Sequence, residues 1–174
     1  VEAVPAAEGR TVEAGEALVR LDRRDLAATL AQREADLAEA RVAQEADERA
    51  LERQKALVEL AERGVARAER LADQSMGSQA ELDAARQALE QARLARIQAR
   101  QRVDSFPARL KRLQAQVDQA ERDLARTRVT APFPGRITNV EVAPGDRVRP
   151  GEPLVRLYDP AHLEVRATIP APDV

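Results

Sequence analysis

Residues 1–22 of this 174-residue chain recur at 137–158, at a constant offset of 136 and without a gap. The identities are Val4/Val140, Ala7/Ala143, Gly9/Gly145, Val12/Val148, Gly15/Gly151, Glu16/Glu152, Leu18/Leu154, Val19/Val155, Arg20/Arg156 and Leu21/Leu157, ten in 22 positions. Each copy reads as a strand, a tight turn at the first Gly, a Val, a second turn at the second Gly, and a Leu-Val-Arg-Leu strand. One copy is too short to bury its own apolar face, so the two are expected to pair into one small β-domain. Everything between them must then be an insertion.

The insertion is nearly free of helix breakers. Of seven Gly and ten Pro in the chain, only Gly64, Gly77 and Pro107 lie between 22 and 128. Positions 30, 37, 44, 51, 58, 65 and 72 are Leu, Leu, Gln, Leu, Val, Val and Ala. Positions 82, 89, 96, 103, 110, 117 and 124 are Leu, Leu, Arg, Val, Leu, Val and Leu, with Ala85, Ala92, Ala99, Phe106, Leu113, Ala120 and Thr127 three places later. A seven-residue apolar repeat with Ala on one rung is the seam of two closely packed helices. Asp73-Gln74-Ser75-Met76-Gly77-Ser78 supplies the turn between them, and Ser78 with Glu81 forms a capping box for the second helix. The insertion is therefore an antiparallel helical hairpin whose arms, at ~1.5 Å per residue, reach ~75 Å. Pro107 should kink the second arm rather than reverse it, because the heptad register runs unshifted through Phe106; a break into two helices is the alternative, since a helix-interior Pro can end a helix.

Composition agrees with long helices and against a compact enzyme. Of 76 apolar residues 35 are Ala and only three are Phe or Tyr, too little large apolar volume for a globular core of this length. Acids balance the 28 basic residues to a net charge of −2, which leaves no excess for nucleic acid. There is no Cys, the lone His162 stands in a strand-turn segment, and no carboxylates cluster among the strands, so no catalytic set is expected. Met76 and His162 alone cannot make a metal site. The only lysines, Lys55 and Lys111, fall in the helices, which argues against a lysine-borne cofactor. No stretch approaches the roughly 18 to 20 consecutive apolar residues that cross a bilayer.

A duplicated strand motif split by a long hairpin resembles the lipoyl domain and hairpin of the membrane fusion proteins, the periplasmic adaptor subunits of tripartite efflux pumps. The entry segment Gly9-x-x-Val12-x-x-Gly15-x-x-Leu18-x-x-Leu21-Asp22 is similar to the family's pattern. So is the exit segment Leu124-x-x-Thr127-x-Val129-x-Ala131-Pro132-x-x-Gly135-x-Ile137, with Pro134 where an Asp is usual. His162-Leu163-Glu164-Val165-Arg166-Ala167-Thr168-Ile169 resembles the first strand of the β-barrel domain that follows in these proteins.

The resemblance implies an α+β chain with a long antiparallel coiled-coil hairpin inserted between two halves of a lipoyl-like β-sandwich. Its expected divisions are 1–21 and 129–158 for the half-motifs, 22–128 for the hairpin with its tip at about 72–79, and 159–174 for the start of a β-barrel. It further implies an adaptor in the periplasm that links an inner-membrane transporter, of the resistance-nodulation-division or ABC type, to a TolC-like outer-membrane duct. Such an adaptor is not an enzyme, carries no cofactor, and works as a hexamer or trimer of dimers, attached to the inner membrane through a segment preceding Val1. An adaptor of a type I secretion exporter, or a purely structural coiled coil, is the alternative.

At the tip, Arg67-x-x-x-Leu71-x-x-x-x-x-x-Ser78 matches the family's pattern for docking on the duct, with Gly77 where the family commonly has an apolar residue. Arg67 and Leu71 sit four apart on one helical face, and Ser78 begins the returning helix. The plainer reading is that Arg67 makes an ion pair, Leu71 closes the seam and Ser78 only caps. No acid stands three or four residues from Arg67, so such a pair would need Glu81 or Asp83 from across the turn.

Overall fold

The computed structural model describes residues 1–160. The expected β-barrel strand and His162 lie outside the described residues. The elements run β1 (Thr11–Val12), β2 (Ala17–Arg20), α1 (Arg24–Asp73), α2 (Gln79–Ala125), β3 (Arg128–Thr130), β4 (Gly135–Val140) and β5 (Val155–Tyr158). This is the expected mixture of a two-helix hairpin and small antiparallel sheets. Among the described residues, contacts divide the chain into two compact units, Val1–Leu30 with 120–160, and Ala31–Gln119.

In the first unit both ends of the chain contribute to both sheets. A three-stranded sheet has the order β1-β4-β5 and a two-stranded sheet pairs β2 with β3, all antiparallel. The second half-motif pairs β4 with β5, and each sheet is completed by a strand of the first half-motif, β1 on β4 and β2 on β3. The sequence repeat is also a repeat of hydrogen bonds. The Gly9 amide donates to the Ile137 carbonyl at 2.8 Å, and its counterpart Gly145 donates to the counterpart Val1 at 2.9 Å. In the same way Ile137 N donates to Arg10 O at 2.9 Å, as the Val1 nitrogen does to Asp146 O at 2.6 Å. Gly9 and Gly145 have φ of 78° and 96°, and Gly15 and Gly151 have 82° and 88°. Those four positions need the left-handed region that glycine enters without a Cβ penalty, so the repeat retains Gly there for a backbone reason.

The core of this unit is Val12, Leu18, Val19, Ala131 and Ile137, with residues of both halves such as Val4, Leu21, Val140 and Leu157 packed around it. Complete burial of Val19 and Ile137 contributes about 1.5–3 kcal/mol each. Gly135 is small because of close approach: a Cβ there would lie 2.6 Å from the Tyr158 carbonyl oxygen on the neighbouring strand. Where β2 gives way to α1, the Asp22 carboxylate accepts from the Arg24 amide at 3.0 Å and from its guanidinium at 2.6 Å. The Arg24 side chain holds the Asp22 carboxyl down to about 2.

In the second unit the heptad seam is the buried face. Leu37, Ala40, Leu51 and Val58 of α1 and Leu82, Leu89, Ala99, Phe106 and Val117 of α2 are buried. Gln44 is half-buried and Arg96 is exposed, since a guanidinium without a partner is too costly to desolvate at a seam position. Glu69 meets Arg86 at 3.0 Å, Glu62 meets Arg93 at 3.5 Å and Asp47 meets Arg102 at 3.2 Å between the two arms. These exposed pairs set register more than stability, at about 0–1 kcal/mol each. α2 runs unbroken through Pro107.

Candidate functional site at the hairpin tip

α1 ends in a tight reversal made by its own backbone. The Met76 amide donates to the Leu71 carbonyl at 2.9 Å and the Ser75 amide to the Ala72 carbonyl at 2.9 Å, with Ser75 at φ 57°. That is a Schellman cap with Ser in the left-handed position usually held by Gly. Gly77 then passes close over the end of the helix. A Cβ on it would lie 3.1 Å from Leu71 Cβ and 3.2 Å from Ala72 N, so any larger residue here requires the end of α1 to give by a few tenths of an ångström. We expect Ser75→Gly to stabilise the hairpin by about 1 kcal/mol by relieving the left-handed strain. A thermal melt that fell, or did not move, would show that Ser75 is held by something other than its backbone.

The returning helix starts on the expected capping box. Glu81 N donates to Ser78 Oγ at 3.2 Å, and Ser78 N donates to Glu81 Oε2 at 3.0 Å. The Ser78 hydroxyl keeps its own proton free to donate outward. Glu81 is thereby committed to the cap, and Asp83 accepts from Gln79 Nε2 at 3.2 Å. These are the two acids available to Arg67 from across the turn, and neither pairs with it. Arg67 is exposed and makes no ion pair or side-chain hydrogen bond among the described residues.

Leu71 does not close the seam either. It is 39% exposed, and Met76 beside it is more exposed still. Sequence spacing does not single out Met76; the cap geometry turns it outward beside Leu71. The tip thus offers an unpaired guanidinium, two apolar side chains and a hydroxyl on a tight, hydrogen-bonded reversal. Among the described residues no group of three or more His, Cys, Asp or Glu is placed to hold a metal, and no helix is long and apolar enough to cross a membrane.

A family model described as the CzcB-like, barrel-sandwich hybrid domain matches residues 1–159. No curated protein sequence matches the chain. Among solved structures, MacA from Actinobacillus actinomycetemcomitans is 22% identical with a TM-score of 0.56, over 91% of this chain and 45% of MacA. The periplasmic adaptor protein EmrA is 17% identical with a TM-score of 0.44, over 92% of this chain and 68% of EmrA. ZneB from Cupriavidus metallidurans is 20% identical with a TM-score of 0.37, over 92% of this chain and 40% of ZneB. The chain spans less than half the length of MacA and of ZneB.

Proposed function

The chain belongs to the CzcB-like barrel-sandwich hybrid family of membrane fusion proteins, and from that premise we propose that it is the hairpin-bearing part of a periplasmic efflux adaptor. In this reading the adaptor links an inner-membrane transporter, of the resistance-nodulation-division or ABC type, to a TolC-like outer-membrane duct. Arg67, Leu71 and Ser78 make the contact with the duct. The observation that carries the reading is the tip itself, where Arg67 has no partner among the described residues and Leu71 is 39% exposed while Glu69, Glu81 and Asp83 are each engaged elsewhere.

The hairpin's flanks support assembly into a ring. Glu62–Arg93 and Glu69–Arg86 join equivalent heptad positions and so mark one flank of the hairpin. They also set the arms roughly level, so that Leu57 and Leu60 stand at about the height of Ile97. Ile97, 48% exposed, belongs to the salt-bridged flank; Leu57 and Leu60, 48% and 56% exposed, occupy the opposite flank at the same height. Exposed apolar side chains at about one height on opposite flanks suit a closed ring of identical head-to-tail contacts. Gly64 is on the Leu57 flank, and nothing stands within 4 Å of the place its Cβ would take. Its cost of about 1 kcal/mol to the helix has no return inside the chain, but it lets a neighbouring helix come close.

Because residues 1–174 contain no cysteine, single cysteines introduced there in the full-length protein report contacts at known positions, with the unsubstituted protein as control. Ser75→Cys should crosslink to the outer-membrane duct in cells, whereas Arg112→Cys, exposed and far along α2, should not. Leu57→Cys combined with Ile97→Cys should give a ladder of products that ends at six copies. Equal capture of the duct from both single-cysteine positions would remove the docking assignment. Monomers alone from the paired variant, with the pump active, would remove the ring.

A further inference from the structure

The chain as a whole carries a slight negative charge, yet one place in its first unit collects unpaired cations. A cleft of about 340 Å³ opens where β2 and β3 meet the ends of the two helices, and Arg20, Arg23 and Arg128 line it. Arg20 and Arg128 are direct partners across the β2–β3 ladder. Like charges placed opposite each other in an antiparallel pair destabilise it. Neighbouring arginines are neutralised: Arg24 pairs with Asp22 at 2.6 Å and Arg126 with Asp123 at 3.2 Å. Arg20, Arg23 and Arg128 make no ion pair or side-chain hydrogen bond among the described residues.

The acid that lines the same cleft is Glu2, held beside β2 by the hydrogen bond its backbone amide donates to the Arg20 carbonyl at 2.8 Å. Three guanidinium groups against one carboxylate leave a formal excess of two positive charges. Leu21 and Leu124 supply apolar wall next to them. We propose that this cleft binds a phosphate monoester, whose charge of about −2 near neutral pH and three acceptor oxygens match the three guanidinium forks. Such a group can come from a soluble phosphate or from a lipid headgroup, and the leucines would border the apolar part of a lipid.

The test uses the whole chain, with inorganic phosphate and vesicles as probes. Phosphate at 5–50 mM, an order-of-magnitude range for a small anion held by a few charge-assisted bonds, should raise the melting temperature above that in sodium chloride of equal ionic strength. In Arg20→Gln/Arg128→Gln that increment should vanish, while the variant itself should melt no lower than the parent because a like-charge pair is gone. That second result separates loss of a site from loss of the fold. Arg53→Gln, an exposed arm arginine, should keep the full increment. Cosedimentation with phosphatidic acid vesicles, but not with phosphatidylcholine vesicles, would identify a lipid source. An increment from phosphate without cosedimentation would identify a soluble ester. If phosphate does no more than chloride, or raises the double variant as much as the parent, the cleft is not an anion site.

Discussion

Arg67→Asp and Leu71→Ser, made separately in the full-length protein, should each abolish transport in cells and leave the hairpin folded. Arg67 touches no other charged group, so reversing its charge breaks nothing inside the chain; it can act only on whatever meets the tip, where attraction to a carboxylate or carbonyl becomes repulsion. Leu71 has part of its surface still in water. An apolar contact completed on docking would be worth up to ~1.5–3 kcal/mol, and a serine there forfeits it. Circular dichroism melts should stay within about 0.5 kcal/mol of the parent, as for surface changes away from any buried feature. Normal pumping by both variants, or failure explained by unfolding, would make the tip a structural cap and nothing more.

The opposite outcome is expected at Phe106. It is one of only two Phe in the chain and 4% exposed, the largest buried side chain of the Ala-rich seam, with Arg109 over its ring at 6.0 Å. Phe106→Ala should cost about 3–5 kcal/mol, because the Ala-lined seam has few side chains able to collapse into the space. Transport should then fail together with helical content, which is the signature the tip variants must not show. A loss below about 1 kcal/mol would mean that the arms are held by their ion pairs after all.

How far the fold was legible depended on whether the controlling physics was local. Gly9, Gly15, Gly145 and Gly151 announced four turns, since a left-handed backbone selects glycine whatever surrounds it. Leu37, Leu51, Val58, Leu82 and Leu89 announced the seam by their spacing, and all five are buried. The capping box at Ser78 and Glu81 was readable from two letters three apart. The crossing of strands between sheets was not, because β1 pairs with β4 and β2 with β3 through register that only the assembled core sets.

The facing of Arg20 and Arg128 was hidden for the same reason: a bulge between Ala17 and Val19 shifts the ladder. At the tip, sequence spacing brought Arg67, Leu71 and Ser78 into view but left the ion pair open. That question turned on where Glu81 and Asp83 spend their hydrogen bonds, which no periodicity encodes. Ser75 in a position that favours glycine is a departure from local preference, and departures of that kind are invisible until a dihedral is measured.

Because β2 finds its partner β3 only across the whole length of the two arms, the order of events in folding is constrained. Closing a flexible loop of roughly a hundred residues costs on the order of 4 kcal/mol by the logarithmic loop term alone, before any strand bond is made. Once the arms zip from the tip, that loop no longer exists, and the two ends arrive together. The seam is therefore a timing device for the sheets: Phe106→Ala should slow the appearance of sheet signal in refolding, whereas truncation of Ile137 should chiefly hasten unfolding. Stopped-flow traces in which the two substitutions exchange these roles would show that the ends meet first and the arms follow.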